Sequence, residues 1–210
     1  MLSLRHLLEA NASVLVLDAA STRIQVGWFG KEEAARWWSG FEEAGTGLFR
    51  GIEAVCSDPM SVGAWAFCDG PGSILGIRTA AMALRTWGAL APKPTYAFGS
   101  LALVSTALNR PGVRLICDAR RGLWHEFGPE GVVRRVPPEA LSGELVTPDG
   151  FRHWSPLPAG VTTVPYRLEE AFALDRVAEA PLFLATQEPD AFLHEEPEYV
   201  KWAPQIHRAP

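Results

Sequence analysis

Apolar residues in this chain come in two arrangements: short unbroken runs and longer stretches of helical spacing. Val14-Leu15-Val16-Leu17 ends in Asp18, and a continuous apolar run of that length predicts a strand covered on both faces. The small-residue turn Ala19-Ala20-Ser21-Thr22 follows, and Arg23-Ile24-Gln25-Val26-Gly27-Trp28-Phe29 predicts an antiparallel hairpin partner. Residues 33–38 predict a third strand. Leu48, Phe49, Ile52, Val55 and Cys56 fall at helical spacing, placing a helix over residues 43–57 that stops before Asp58-Pro59. Residues 62–68 form another buried strand, which runs into Asp69-Gly70-Pro71-Gly72-Ser73 and then a helix over residues 73–90. Pro92 and Pro94 end that helix, residues 95–98 give a short strand, and Gly99-Ser100 open a helix that reaches Leu108.

The second half reopens with the same figure. Val113-Arg114-Leu115-Ile116-Cys117-Asp118 is a buried strand ending in Asp, Ala119-Arg120-Arg121-Gly122 is a turn, and residues 123–127 return as a hairpin, with a third strand over 132–136. Two halves that both begin strand, Asp, turn, strand predict a duplicated, two-lobed α/β fold with mixed sheets. We place the first lobe at residues 1–98 and the second at 99–210. Residues 141–165 are rich in Pro, Gly and Thr and read as loop with short strands. A helix starts at Leu168, Leu182-Phe183-Leu184 is a last strand, and the tail from residue 195 lies on the surface or docks back on the first lobe.

Composition narrows the function classes. The 210 residues suffice for one large domain or two small lobes, and 48% hydrophobic with 20% charged residues is too apolar for disorder. A formal charge of -5 argues against an extended nucleic-acid surface, so RNA would be contacted mainly through another subunit. Cys56, Cys68 and Cys117 are widely spaced and form no Cys-x-x-Cys pair; Cys68 and Cys117 each end an apolar run and read as buried thiols, which predicts a reducing cytoplasm. The leucine-bearing N-terminus is interrupted by Arg5 and Glu9, so it reads as an amphipathic extension and not a signal peptide, and no apolar stretch is long enough to span a membrane.

Candidate chemistry sits at three turns. Gly70-Pro71-Gly72-Ser73 joins a buried strand to a helix, where Ser73 caps free N–H groups and the glycines allow close backbone approach. Such a loop is either an anion cradle or a sharp connection, and it lacks the Lys-Ser/Thr ending of a P-loop. Asp18, with Ser21 and Thr22, either holds Mg²⁺ through water or closes an Asx-type turn. Asp118 carries the same two readings, with Arg120 and Arg121 close enough to pair with it. His6, His125, His153, His194 and His207 show no metal spacing, and no nucleophile elbow or Cys-His constellation appears. Trp37, Trp38 and Trp87 serve either the core or a partner interface.

Taken together these segments resemble the TsaB family. The quoted matches are Asp18-Ala19-Ala20-Ser21-Thr22, Gly70-Pro71-Gly72-Ser73-Ile74-Leu75-Gly76-Ile77-Arg78, Ala97-Phe98-Gly99-Ser100-Leu101, Asp118-Ala119-Arg120-Arg121-Gly122 and Pro197-Glu198-Tyr199-Val200-Lys201. Leu75 stands where the family usually has Thr. The resemblance implies an actin/Hsp70-like (ribonuclease H-like) fold and a non-catalytic cytoplasmic subunit. That subunit would bind a TsaD-like transferase, cooperate with a TsaE-like ATPase and meet tRNA only through the complex during threonylcarbamoylation of adenosine. A homodimer is implied when the chain is alone. The implied partner surface lies on the two first-lobe helices, at Leu48, Ile52, Leu75, Arg78, Ala81, Met82 and Arg85. The resemblance implies no catalytic residue and no bound metal. The alternatives are a small actin-like ATPase or phosphotransferase, with ATP or ADP and Mg²⁺ at Asp18, Ser21, Thr22, Gly70, Gly72 and Ser73, and a divergent paralogue without a tRNA role.

Overall fold

The fold is that of a computed structural model in which residues 1–192 are described. The Pro197 to Lys201 motif, the tail around it, His194 and His207 lie outside those residues. The first sheet contains β1 (Ser13–Asp18), β2 (Ile24–Gly30), β3 (Arg36–Gly40), β4 (Ala64–Gly70), β5 (Thr95–Gly99) and β11 (Leu184–Ala185). Their order is β11-β5-β4-β1-β2-β3. The first three strands form an antiparallel meander, while β4 and β5 run parallel to β1. The second sheet contains β6 (Arg114–Asp118), β7 (Trp124–Phe127), β8 (Val133–Val136), β9 (Leu145–Pro148) and β10 (Thr162–Val164), in the order β10-β9-β6-β7-β8. It has the same meander followed by two parallel strands, so the two-lobed duplication expected from the sequence is present.

The copies differ in their helices. In the first, α2 (Ala44–Val55) follows the meander and α3 (Ile74–Leu90) follows β4. In the second, a 3-10 turn at Pro138–Ala140 stands in place of the first helix, and a loop connects β9 to β10. Proline explains the loss. Pro137, Pro138, Pro156 and Pro158 remove N–H donors and restrict φ in those connections. The third strand of the first copy starts at Arg36, later than the sequence suggested, after Ala34 and Ala35, two weak strand formers.

Strand alternation assigns the two faces of the first sheet. Trp65 on β4 stacks toward Trp87 of α3, and Val26 of β2 meets α2 at Gly51. The opposite face carries Asp18, Gln25, Phe29 and Cys68. It is covered by α4 (Ser100–Leu108), α5 (Leu168–Phe172) and α6 (Asp175–Ala178), with Phe172 stacked among Phe29, Trp37, Phe98 and Phe183. Burial on both sides accounts for the unbroken apolar run of β1, where Val14 to Leu17 have no exposed surface. One apolar cluster continues from this sheet into the second through Leu115, Cys117, Val146, Phe151 and Tyr166. The N-terminal extension is α1 (Leu4–Ala10), capped by Ser3, with Leu4 and Leu7 buried. Among the described residues no helix is long and apolar enough to cross a membrane.

Candidate functional site

Because β1 and β4 are parallel neighbours, their C-terminal ends bring the Asp18 turn beside the Gly70 loop. The loop is docked on the turn. Ser73 N–H donates to the Ala20 carbonyl at 2.7 Å, and Ser73 Oγ accepts from Gly76 N–H at 3.4 Å as the cap of α3. A Cβ on Gly72 would strike the Ala20 carbonyl oxygen, and one on Gly76 would strike that of Ala19, so close approach is what requires these two glycines. Ser21 Oγ is engaged with Arg23 N–H and C=O, and Thr22 N–H donates to the Gly150 carbonyl at 2.8 Å. The geometry is that of a sharp connection. The Ser73 N–H, the Thr22 N–H and the Ser21 hydroxyl, which a phosphate would draw on, are here bonded within the chain.

Asp18 itself is fully buried. Its Oδ1 accepts from Ala20 N–H at 2.7 Å, closing an Asx-type turn, while Oδ2 lacks a hydrogen bond of acceptable geometry. Burial raises its pKa to about 6, opposed by the nearby Tyr166 hydroxyl and the Ala20 N–H. Gln25 lies directly across the ladder; its Oε1 accepts from Leu168 N–H at 2.9 Å and its Nε2 is unpaired. Tyr166 donates to Cys68 Sγ at 3.8 Å, and burial together with Asp18 pushes both the phenol and the thiol well up. Asp69 is also raised, to about 7, by burial. Asp18, Gln25, Cys68 and Tyr166 form an enclosed polar knot that joins the first sheet to the segment returning from the second.

The second-lobe turn is satisfied differently. Asp118 Oδ1 accepts from Arg120 N–H at 2.6 Å, and Oδ2 accepts from the N–H groups of Trp154 and Ser155 at 2.8 and 2.7 Å. The expected ion pair with Arg120 is replaced by backbone bonds, and the Arg120 guanidinium lies over the Trp154 ring at 4.4 Å. Both carboxylate oxygens of Asp118 are therefore taken up in ordering the loop around residue 154. Among the described residues no three His, Cys, Asp or Glu side chains converge as metal ligands would.

The outer face of α2 and α3 is apolar and open. Phe49, Leu75 and Met82 are exposed, and with Arg78, Thr79, Ala83, Thr86 and Trp87 they line a groove of about 440 Å³. Arg78 at its edge pairs with Asp190 at 3.3 Å, and Arg85 is exposed. Three residues expected on this surface are elsewhere: Leu48, Ile52 and Ala81 are buried in the core. Helical spacing located an apolar stripe, but these three sit on the side that packs against the sheet. Trp37 packs on Phe29 and Phe172, and Trp38 lies where a side chain on Gly51 would go. Trp87 stacks on Trp65 and also lines the groove. The role of Tyr166 was not foreseen, because a tyrosine between a proline and an arginine in a loop carries no periodic signal.

No protein-family model matches the chain, and no curated protein matches it. Solved structures do. The chain is similar to YeaZ from Pseudomonas aeruginosa, with a TM-score of 0.58 and 17% identity over 77% of this chain and 89% of that one. It is equally similar to a protein described as uncharacterized with similarity to peptidase YEAZ from Pseudomonas aeruginosa, with a TM-score of 0.57, 18% identity and the same coverage. This likeness establishes the actin/Hsp70-like two-lobed fold.

Proposed function

We propose that the chain is a TsaB-like, non-catalytic partner subunit that supports a TsaD-like transferase in threonylcarbamoylation of tRNA adenosine, with a TsaE-like ATPase as a further partner. The observation that carries this reading is the open apolar groove between α2 and α3, where Phe49, Leu75 and Met82 face outward on an otherwise well-packed lobe. Exposed apolar patches of this kind mark protein contacts. Two further facts support it. The fold is shared with YeaZ, a TsaB homologue, and the Asp18 and Asp118 carboxylates accept backbone bonds that order their own turns.

The test is co-purification with the TsaD-like transferase of the same organism, followed by a tRNA modification assay on the reconstituted proteins. Leu75→Glu or Met82→Glu places a charge on the groove without entering the core, so each should leave the melting temperature within about 2 °C, as surface changes do. Each should also reduce complex formation by at least roughly tenfold, since an anchor residue is worth about 2 kcal/mol or more. A folded variant that still co-purifies at full yield removes the groove from the interface.

A further inference from the structure

A second surface, on the other lobe, carries arginines and an exposed tryptophan. At the tip of the β6–β7 hairpin, Arg120 and Arg121 have φ of 64° and 54°, followed by Gly122 at 73°. Three consecutive residues of this connection are left-handed, and Leu123 N–H donates to the Arg120 carbonyl around Arg121 and Gly122; such positions are ordinarily filled by Gly or Asn, because a Cβ clashes there. Gly122 meets that demand, whereas Arg120 and Arg121 hold left-handed backbone at a steric cost, and strain of this sort marks a demand on the side chains. The neighbouring loop is brought to them by Asp118, whose Oδ2 accepts from the Trp154 and Ser155 N–H groups. Trp154 retains 53% of its surface exposed while Arg120 lies over its ring at 4.4 Å. Arg152, two residues before Trp154 in the chain, is exposed. Among the described residues no carboxylate forms an ion pair with Arg120, Arg121 or Arg152, and both carboxylate oxygens of the buried Asp118 accept from backbone N–H groups.

The geometry points to a binding surface for single-stranded nucleic acid, in which a base stacks on Trp154 and Arg120, Arg121 and Arg152 neutralise adjacent phosphates. An exposed aromatic with one guanidinium on its ring and others near it in sequence, none in an ion pair among the described residues, is the combination that single strands select, because every base offers a π-face and every link a charge. A duplex keeps its bases stacked inside, and a polyglutamate chain offers charge without a ring to stack. The local charge overrides the formal net charge of -5, since phosphate attraction is screened beyond about 10 Å. None of these residues lines the α2–α3 groove, so the inference stands apart from the docking reading.

The experiment is fluorescence anisotropy of a labelled single-stranded RNA of about twelve nucleotides, a length within the usual site sizes, with the full chain across a salt series. Trp154→Ala should weaken binding roughly tenfold. Arg121→Gly should weaken binding and reduce the slope of log affinity against log salt by roughly one. The same variant should keep or raise the melting temperature, because glycine suits φ of 54°, and that separates lost contact from lost fold. The inference is overturned by three results: no binding by the wild-type chain, wild-type affinity in either variant, or equal competition by polyglutamate or by a duplex of the same sequence.

Discussion

Asp18 carries its carboxyl into a fully enclosed site, where burial lifts its pKa from 3.8 to about 6. The native state therefore holds this proton more tightly than the unfolded chain. The stability linked to it is complete below about pH 3.8 and is lost as the pH rises through about 6. Above that range the buried charge costs up to about 3 kcal/mol, from a shift of roughly two pKa units. Asp69 acts in the same direction, with its loss extending to about pH 7. Asp18→Asn keeps the acceptor for Ala20 N–H and removes the charge. We expect it to raise the unfolding free energy at pH 7.5 by about 1–3 kcal/mol, with little gain at pH 4. Urea unfolding at the two pH values measures this. A variant less stable than wild type at pH 7.5 would mean that the carboxylate is stabilised by a charge or donor it needs.

Among the elements, α3 holds two glycines that separate fit from flexibility. Gly76 lies against the Ala19 carbonyl, whereas a Cβ on Gly88 would meet only the Trp65 ring at 3.9 Å. Gly76→Ala should cost about 1–3 kcal/mol, because α3 must move away from the Asp18 turn. Gly88→Ala should gain up to about 1 kcal/mol from helix propensity. Thermal melts of the two variants test the pair, and a neutral Gly76→Ala would show that the helix does not depend on that close approach. The existence of these elements was legible in the sequence for a physical reason. Val14 to Leu17 and the Gly70–Ser73 turn are the patterns expected of a doubly covered strand and of a capped helix. Which side of each helix meets the sheet was less legible. Leu48, Ile52 and Ala81 face inward while Phe49, Leu75 and Met82 face outward. Both sets are apolar, so periodicity marks a helix without distinguishing core from contact surface. The enclosed knot was illegible in its larger part, since Gln25, Cys68 and Tyr166 meet through tertiary folding alone.

At the scale of the molecule, the two sheets are bound by a continuous apolar cluster and by segments that cross between them. The N-terminal helix packs on the first-sheet side. Leu2 exchanges backbone bonds with Phe183, and Leu4 and Leu7 are buried beneath the helical layer. Arg5 reaches Asp175 and Glu179 at 2.9 and 3.2 Å, but all three side chains are largely exposed. The two kinds of contact make separable predictions. Removing residues 1–10 should cost about 3–6 kcal/mol, from two leucines at about 1.5–3 kcal/mol each, and should lower the melting temperature visibly. Arg5→Ala should cost under about 1 kcal/mol, because exposed ion pairs exchange solvent contacts for protein contacts of similar strength. If the truncated chain melts at the wild-type temperature, the extension does not contribute to the core. If Arg5→Ala alone reproduces the loss, the anchor is ionic and the burial of Leu4 and Leu7 is incidental to it.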